Sequence, residues 1–250
     1  MKNEDAWKPT KFVMKRGEWV ASRDPATVAP CSRHFVDLIG RAFTELLPRY
    51  AKGAFLDLGC GSVPLYGLYR SHVDSITCMD WGNSRHGLGH LDLECDLNVA
   101  LPIAEASYDT VLLSDVLEHI AEPSLLMAEV SRILRPGGHL LITVPFLYWI
   151  HESPHDYHRY TAFALDRLCR RNGLEPLLIT PLGGSLDVLA DIVAKHLYSI
   201  PLVGGLLSSI PQTLAALGAL VPGGLRLRNR TARAFPIGYI VVARRTGKLD

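Results

Sequence analysis

No C-x-x-C pair occurs among the five cysteines, Cys31, Cys60, Cys78, Cys95 and Cys169, which are odd in number and scattered. That argues against a disulfide framework or a structural zinc site, so no metal is expected, and it points to a reducing cytoplasm. Neither charge sign dominates: 26 basic residues stand against 25 acidic ones, and no nucleic-acid partner is expected. The opening Met1-Lys-Asn-Glu-Asp-Ala-Trp-Lys8 lacks the apolar stretch of a signal peptide. Internal repeats and low-complexity tracts are missing too. From Leu197 to Leu225 there is no charged side chain, a length that could cross a bilayer. Yet Pro201, Pro211 and Pro222, with Gly204-Gly205 and Gly223-Gly224, break that run into short pieces, against a clean spanning helix. At 250 residues the chain can bury one full core with elaborations.

What is present centres on Phe55-Leu-Asp-Leu-Gly-Cys-Gly-Ser-Val-Pro-Leu-Tyr66. Phe55, Leu56 and Leu58 predict a short buried strand. Gly59 and Gly61 let the backbone turn sharply and approach a ligand closely. A helix beginning near Val63 would aim free N–H groups at the same spot and favour an anion. Asp57 sets a negative charge at the strand end, where open α/β sheets bind ligands. An acid beside an anion site suits a ligand carrying both signs, such as an amino acid head group.

The rest of the core alternates strand and helix. Residues 73–80 and 109–114 read as strands, the second followed by a helical Asp115–Ile120. Ser124 caps an amphipathic helix to Leu134, which Arg135-Pro-Gly-Gly138 stops. Gly138–Pro145 is a buried strand, Thr161–Asn172 a helix closed by Gly173, and Leu174–Thr180 a further strand. This alternation gives an α/β domain, a parallel sheet with helices on both faces. Asp80, 23 residues beyond Asp57 at the next strand end, could accept from both hydroxyls of a ribose. Trp81 could lie against a base ring, and Asp96 could accept from an exocyclic amine. Before this core, residues 1–30 read as an irregular arm with one short helix. Ser32 caps a helix to Leu47, ended by Pro48. That helix packs on the sheet edge, or with Trp19, Arg23 and His34 lids the glycine loop.

Leu56-Asp-Leu-Gly-Cys-Gly61, Asp80, Asp96-Leu97 with Leu101-Pro102, Tyr108-Asp109, Leu117-Glu-His-Ile120 and residues 134–145, in that order and spacing, resemble a class I S-adenosylmethionine-dependent methyltransferase. The group includes the small-molecule enzymes of quinone and natural-product pathways, and the resemblance spans about residues 53–180. It implies a Rossmann-like, seven-stranded, mostly parallel sheet with S-adenosyl-L-methionine as cofactor. Carried over, Asp57, Gly59 and Gly61 hold the methionine part, and Asp80 the ribose hydroxyls. Trp81, Asp96 and Leu97 meet the adenine. Ser114 and Asp115 line the methionine side, with His119 near the pocket mouth. The family often has a third glycine near position 63, and here Ser62-Val-Pro64 constrains that loop. A nicotinamide dinucleotide fits worse, because its fingerprint wants glycine at Pro64 and no acid inside the turn.

Residues 146–160, rich in histidine and aromatic side chains, follow a strand end on the cofactor side, where an acceptor would lie. His151, His155 and His158 are the candidate bases for a hydroxyl acceptor; the duller alternative is that they and Arg159 brace the loop. His151-Glu-Ser-Pro-His155 matches H-E-x-x-H, but Pro154 opposes the helix a zinc protease needs. The organisation expected is an N-terminal arm and cap helix over 1–52, a cofactor-binding core over 53–180 plus 234–246, and an apolar helical insert over 181–233 before the last strand. Within the insert, the uncharged run to Leu225 followed by Arg226, Arg228, Arg230 and Arg233 suits a membrane surface, a cap over a greasy substrate, or a homodimer contact. The function expected is methyl transfer to a hydroxyl or carbon of a small-molecule or lipid-linked acceptor, in the cytoplasm or peripheral to the membrane. The alternative is a catalytically inactive cofactor-binding or membrane-associated protein on the same fold.

Overall fold

The computed structural model describes residues 1–82 and 89–247. Its main sheet has the strand order β5-β4-β3-β6-β7-β9-β8. The strands are β3 Ala54–Leu58, β4 Ser75–Asp80, β5 Leu93–Glu94, β6 Tyr108–Ser114, β7 Leu134–Pro145, β8 Leu174–Leu182 and β9 Gly238–Arg245. β9 runs antiparallel to both its neighbours, and every other pair is parallel. The inner strands are near-continuous apolar runs because both faces are covered. Alternate residues go to opposite layers. Phe55, Leu112, Leu141 and Val242 pack with α1 (Arg33–Tyr50) through Ile39, Phe43 and Leu47. Leu56, Val111, Leu113, Leu140 and Val241 pack with α3 (Pro123–Ile133) and α4 (Ala162–Arg171). Strand order reverses between β3 and β6, which opens a crevice at their C-terminal ends.

Several local expectations are corrected. The arm is not irregular: β1 (Phe12–Lys15) and β2 (Glu18–Ala21) form an antiparallel hairpin. Its two-residue turn, Arg16-Gly17, has both φ angles positive, at 53° and 82°, the geometry that matches strand twist. The hairpin lies close on α1, where a Cβ on Gly40 would stand 2.9 Å from Phe12. Ser32 does not cap α1 with its side chain; its hydroxyl accepts from Tyr148 Oη at 3.1 Å. Pro48 does not end the helix, because the loss of one N–H falls in the last turn, where the Ala51 N–H still reaches the Leu47 carbonyl. Glu122 rather than Ser124 stands at the cap position of α3. The helix expected near Val63 starts only at Tyr66 and is four residues long (α2, Tyr66–Tyr69), since Val63 takes a positive φ of 53° and Pro64 follows. It offers no helix-terminus anion site. Asp115–Ile120 holds a single 3₁₀ turn, Leu117–His119.

The insert contains α5 (Ser185–Tyr198), α6 (Gly204–Leu207), α7 (Ser209–Gly218) and α8 (Pro222–Thr231). Asp187 ties it down. His34 Nε2 of α1 lies 2.6 Å from Asp187 Oδ1, and Arg228 of α8 pairs with both carboxylate oxygens at 2.8 and 2.9 Å. Burial would raise the Asp187 carboxyl, but His34 and Arg228 hold it below its ordinary value. His34 therefore anchors the insert and is not part of a lid over the glycine loop, and Arg228 is withdrawn from the exposed arginine cluster.

Candidate functional site

The glycine turn is fixed by backbone geometry. Gly59 has φ +76°, and a Cβ there would meet Val116 at 2.5 Å, so only glycine fits between β3 and the loop after β6. The N–H groups of Gly59 and Cys60 both donate to the Met79 carbonyl at the end of β4. Gly61 (φ +52°) donates its N–H to Asp80 Oδ2 at 2.7 Å, and the Trp81 N–H donates to Asp80 Oδ1 at 2.7 Å. Asp80 thus pins the turn, and each oxygen keeps accepting capacity. Asp57 is buried, and its Oδ2 accepts from Tyr69 Oη at 2.9 Å. No Lys, Arg or His among the described residues pairs with it. Burial pushes its carboxyl up to about 7; nearby Asp80 adds to this and Tyr69 opposes it. A buried carboxylate without a counter-charge fits an ammonium group.

Around the turn stand further groups, of which Trp7, Thr10, Lys11 and Thr143 were not singled out from the sequence. Trp7 Nε1–H donates to the Val63 carbonyl at 3.1 Å, and the Thr10 and Ser62 hydroxyls are 3.3 Å apart. Trp19 lies over Gly67, where a Cβ would meet its ring at 2.2 Å. Lys11 Nζ pairs with Asp115 Oδ2 at 3.1 Å, while Asp115 Oδ1 accepts from Thr143 Oγ1 and Ser114 Oγ lies 3.0 Å from that hydroxyl. Of the arm residues read as a lid, Trp19 reaches α2, whereas exposed Arg23 offers its carbonyl to Arg33. Asp96 is exposed, two residues past β5, and accepts from the backbone and side chain of Asn98; Leu97 beside it is buried. Trp81 stands at the same rim with its ring edge-on to His155 at 5.5 Å.

The three loop histidines separate. His155 Nδ1 lies 3.1 Å from Tyr157 Oη, and His158 Nε2 is 3.4 Å from the Ala121 carbonyl. His151 turns inward. Its Nδ1 is 3.3 Å from Asp156 Oδ2 and its Nε2 is 3.6 Å from Oε1 of Glu118, a fully buried acid. Burial works against the His151 imidazolium, but Glu118 and Asp156 carry its pKa above the usual histidine value. Arg159 grips Asp156 at 2.5 and 2.8 Å and bonds the Trp149 carbonyl, so it does brace the loop. Burial would raise Asp156, yet the Arg159 pair and the His151 N–H hold it down to about 2. His119 Nδ1–H donates to the His155 carbonyl at 2.8 Å. The H-E-x-x-H run is not helical, and its two histidines face different partners. Glu118 carried no assigned role, although it lay in the matching Leu117-Glu-His-Ile120 segment, as an acid set between apolar Leu117 and His119.

Residues 56–142 match the family model described as a methyltransferase domain. The ubiquinone biosynthesis O-methyltransferase of Parvibaculum lavamentivorans is 33% identical over 98 residues, covering 35% of this chain and 38% of that relative. The chain thus matches little more than a third of that relative's length. Among solved structures, an S-adenosylmethionine-dependent methyltransferase from Mesorhizobium loti aligns with TM-score 0.53 at 15% identity, over 83% of this chain and 98% of its own. The [4+2]-cyclase SpnF aligns with TM-score 0.53 at 19% identity, over 95% and 87%. At such identities these two show the fold, and the cyclase illustrates that the fold does not fix the reaction.

Proposed function

We propose, from the premise that residues 56–142 form a class I S-adenosylmethionine-dependent methyltransferase domain, that the protein transfers a methyl group to a hydroxyl or carbon of a small-molecule or lipid-linked acceptor. One observation carries the reading. A glycine turn between a buried acid with no cation partner among the described residues, Asp57, and a pinned acid, Asp80, shares one sheet edge with a loop of histidine and aromatic side chains, joined to it through Trp81 and His155. S-adenosylmethionine is the cofactor of this domain, and its sulfonium supplies an already activated methyl group. Asp57, Gly59 and Gly61 hold its methionine part, with Ser114, Asp115 and Lys11 beside them. Asp80 takes the ribose hydroxyls; Trp81, Asp96 and Leu97 meet the adenine. The remaining task for the chain is alignment of acceptor and donor.

A hydroxyl acceptor loses its proton at the centre around His151, with Glu118 and His119 against it. His151→Ala is expected to lower turnover by about 10²-fold or more while cofactor binding stays intact. His158→Ala, whose half-buried ring lies 3.4 Å from the Ala121 carbonyl and away from Glu118, is expected to change it little. Equal rates for wild type and His151→Ala would reject this assignment. Methyl transfer itself is tested with labelled cofactor and fractionated cell extract, including lipids. Binding of the cofactor without transfer to any fraction would favour the inactive alternative.

The insert supports the lipid-linked end of the acceptor range. Leu206, Ile210, Leu214 and Leu217 are exposed at helical spacing, with Gln212 and Ala215 buried opposite. Leu189, Ile192 and Val193 add an exposed stripe on α5. Arg226, Arg230 and Arg233 are exposed on and just after α8, the helix that follows α7 in the chain. No single helix among the described residues is long and apolar enough to cross a membrane, and the α6–α7 and α8 segments meet at a 99° bend. An uncharged face edged by arginines suits shallow attachment to an anionic surface. Co-sedimentation with phosphatidylglycerol vesicles, weaker with phosphatidylcholine and lost in Leu206→Asp/Leu214→Asp, is expected. A concentration-dependent dimer with no vesicle binding would overturn the membrane role.

A further inference from the structure

We propose that Glu118, His119 and His151 form a binding site for one divalent transition-metal ion of the zinc or iron(II) type. The argument begins with Glu118. It is 0% exposed, and among the described residues neither carboxylate oxygen has a hydrogen-bond partner. A carboxylate removed from water is costly unless a cation or donors face it. What faces it is a pair of imidazoles: His119 Nε2 and His151 Nε2 each lie 3.6 Å from Glu118 Oε1, beyond hydrogen-bond reach. One ligand atom from each of the three residues falls within 4.8 Å of the others. Ligands at metal bonds of about 2.0–2.1 Å in a tetrahedron stand roughly 3.3 Å apart, so a small inward movement completes the site.

The shell behind the ligands has the form that metal histidines require. His119 Nδ1–H donates to the His155 carbonyl at 2.8 Å, and His151 Nδ1 lies 3.3 Å from Asp156 Oδ2 without a hydrogen bond between them, Asp156 itself being clamped by Arg159. The His119 bond leaves its Nε2 free to ligate with the ring held from outside, and both Nε2 atoms stand 3.6 Å from the same Glu118 oxygen. Two imidazoles and one carboxylate select borderline transition ions over magnesium or calcium, and three protein ligands leave a coordination position open. The chain brings the set together by topology. Glu118 and His119 lie in the 3₁₀ turn after β6, and His151 in the loop after the parallel neighbour β7. The literal H-E-x-x-H run does not make it, since His155 turns to Trp81 and Tyr157. On the methyl-transfer reading above, an ion here would acidify an acceptor hydroxyl bound to it, and His151 would act as its ligand. The site itself stands apart from that reading.

The test uses the full chain, stripped with a chelator and titrated separately with Zn²⁺ and Co²⁺. Bound metal is counted by elemental mass spectrometry, and cobalt is followed by its visible absorption. A single saturable ion per chain is expected. Asp156→Asn should weaken it by about 10–100-fold, and His119→Ala, His151→Ala and Glu118→Gln by more than that. His158→Ala should leave affinity unchanged. Absence of saturable binding by a wild-type chain shown folded by circular dichroism would overturn the site. So would stoichiometric binding that survives Glu118→Gln combined with His119→Ala. These readouts do not involve methyl transfer, so failure of the metal site and failure of the catalytic reading are distinguishable.

Discussion

Asp80→Ala is expected to weaken S-adenosylmethionine binding by about 10²–10⁴-fold in calorimetric titration. Two losses combine. The carboxylate accepts the Gly61 and Trp81 N–H groups at 2.7 Å each, so its removal frees the turn that the methionine part would rest on. It also removes the acceptors assigned to the ribose. Hydrogen bonds to a charged group contribute about 1.5–3 kcal/mol apiece, and two of them give about 3–6 kcal/mol, at roughly 1.4 kcal/mol per tenfold. Asp80→Asn keeps one acceptor oxygen and should fall between the two proteins. A folded Asp80→Ala chain that binds as tightly as wild type would remove Asp80 from the site. Failure of the wild type to bind would point instead to the Val63-Pro64 constraint.

The second large effect is on pH dependence. Asp57 in the folded chain is raised by burial from an ordinary 3.8 to about 7. The folded state therefore keeps a proton that the unfolded chain releases, and stability must fall as pH rises through that window. The contribution is complete below about pH 4 and lost above about pH 7. Three pH units correspond to about 4 kcal/mol as an order of magnitude. Thermal unfolding of the ligand-free protein should weaken from pH 5 to pH 8, and Asp57→Asn should flatten that slope and be the more stable protein at pH 8. The cofactor's ammonium needs the ionised carboxylate, so wild-type affinity should rise across the same interval and that of Asp57→Asn should not. Lys195, lowered to about 8 by burial, acts above this window and with the opposite sign, and the difference between the two proteins cancels it. Parallel pH profiles for wild type and Asp57→Asn would rule out Asp57 as the group responsible.

The elements legible in the sequence are those whose causes are local. β3, β6 and the second half of β7 carry buried apolar runs, β4 is more mixed, and Asp57, Asp80 and Asp115 at the ends of β3, β4 and β6 mark the crevice by position alone. Gly59 was readable because a turn needed it, although the reason it must be glycine, Val116 of the next strand loop, is 57 residues away. What stayed hidden depends on distant partners. Arg16-Gly17 makes a hairpin because its flanks find α1 to lie on. Nothing near Lys11 announces Asp115. Glu118 looked like one more polar residue until folding enclosed it beside His151. Arg228 counted as one of four like arginines until Asp187 claimed it. Val63 shows the opposite case: its neighbour Pro64 was noticed, but the positive φ that shortens the following helix was not.

The Asp187 hub has a consequence for anyone who would divide this molecule. α1 carries the N-terminal hairpin on one side through the Gly40–Phe12 contact, and holds the insert on the other through His34. Its backbone also leans on α7, where Gln212 Oε1 accepts the His34 N–H and Gln212 Nε2 donates to the Pro30 carbonyl. The insert, though late in the chain, is thus grafted onto the first long helix. Cutting residues 185–231 away would strand an imidazole, an amide and an apolar helix flank together, and a minimal catalytic core would need α1 resurfaced before it could stand alone.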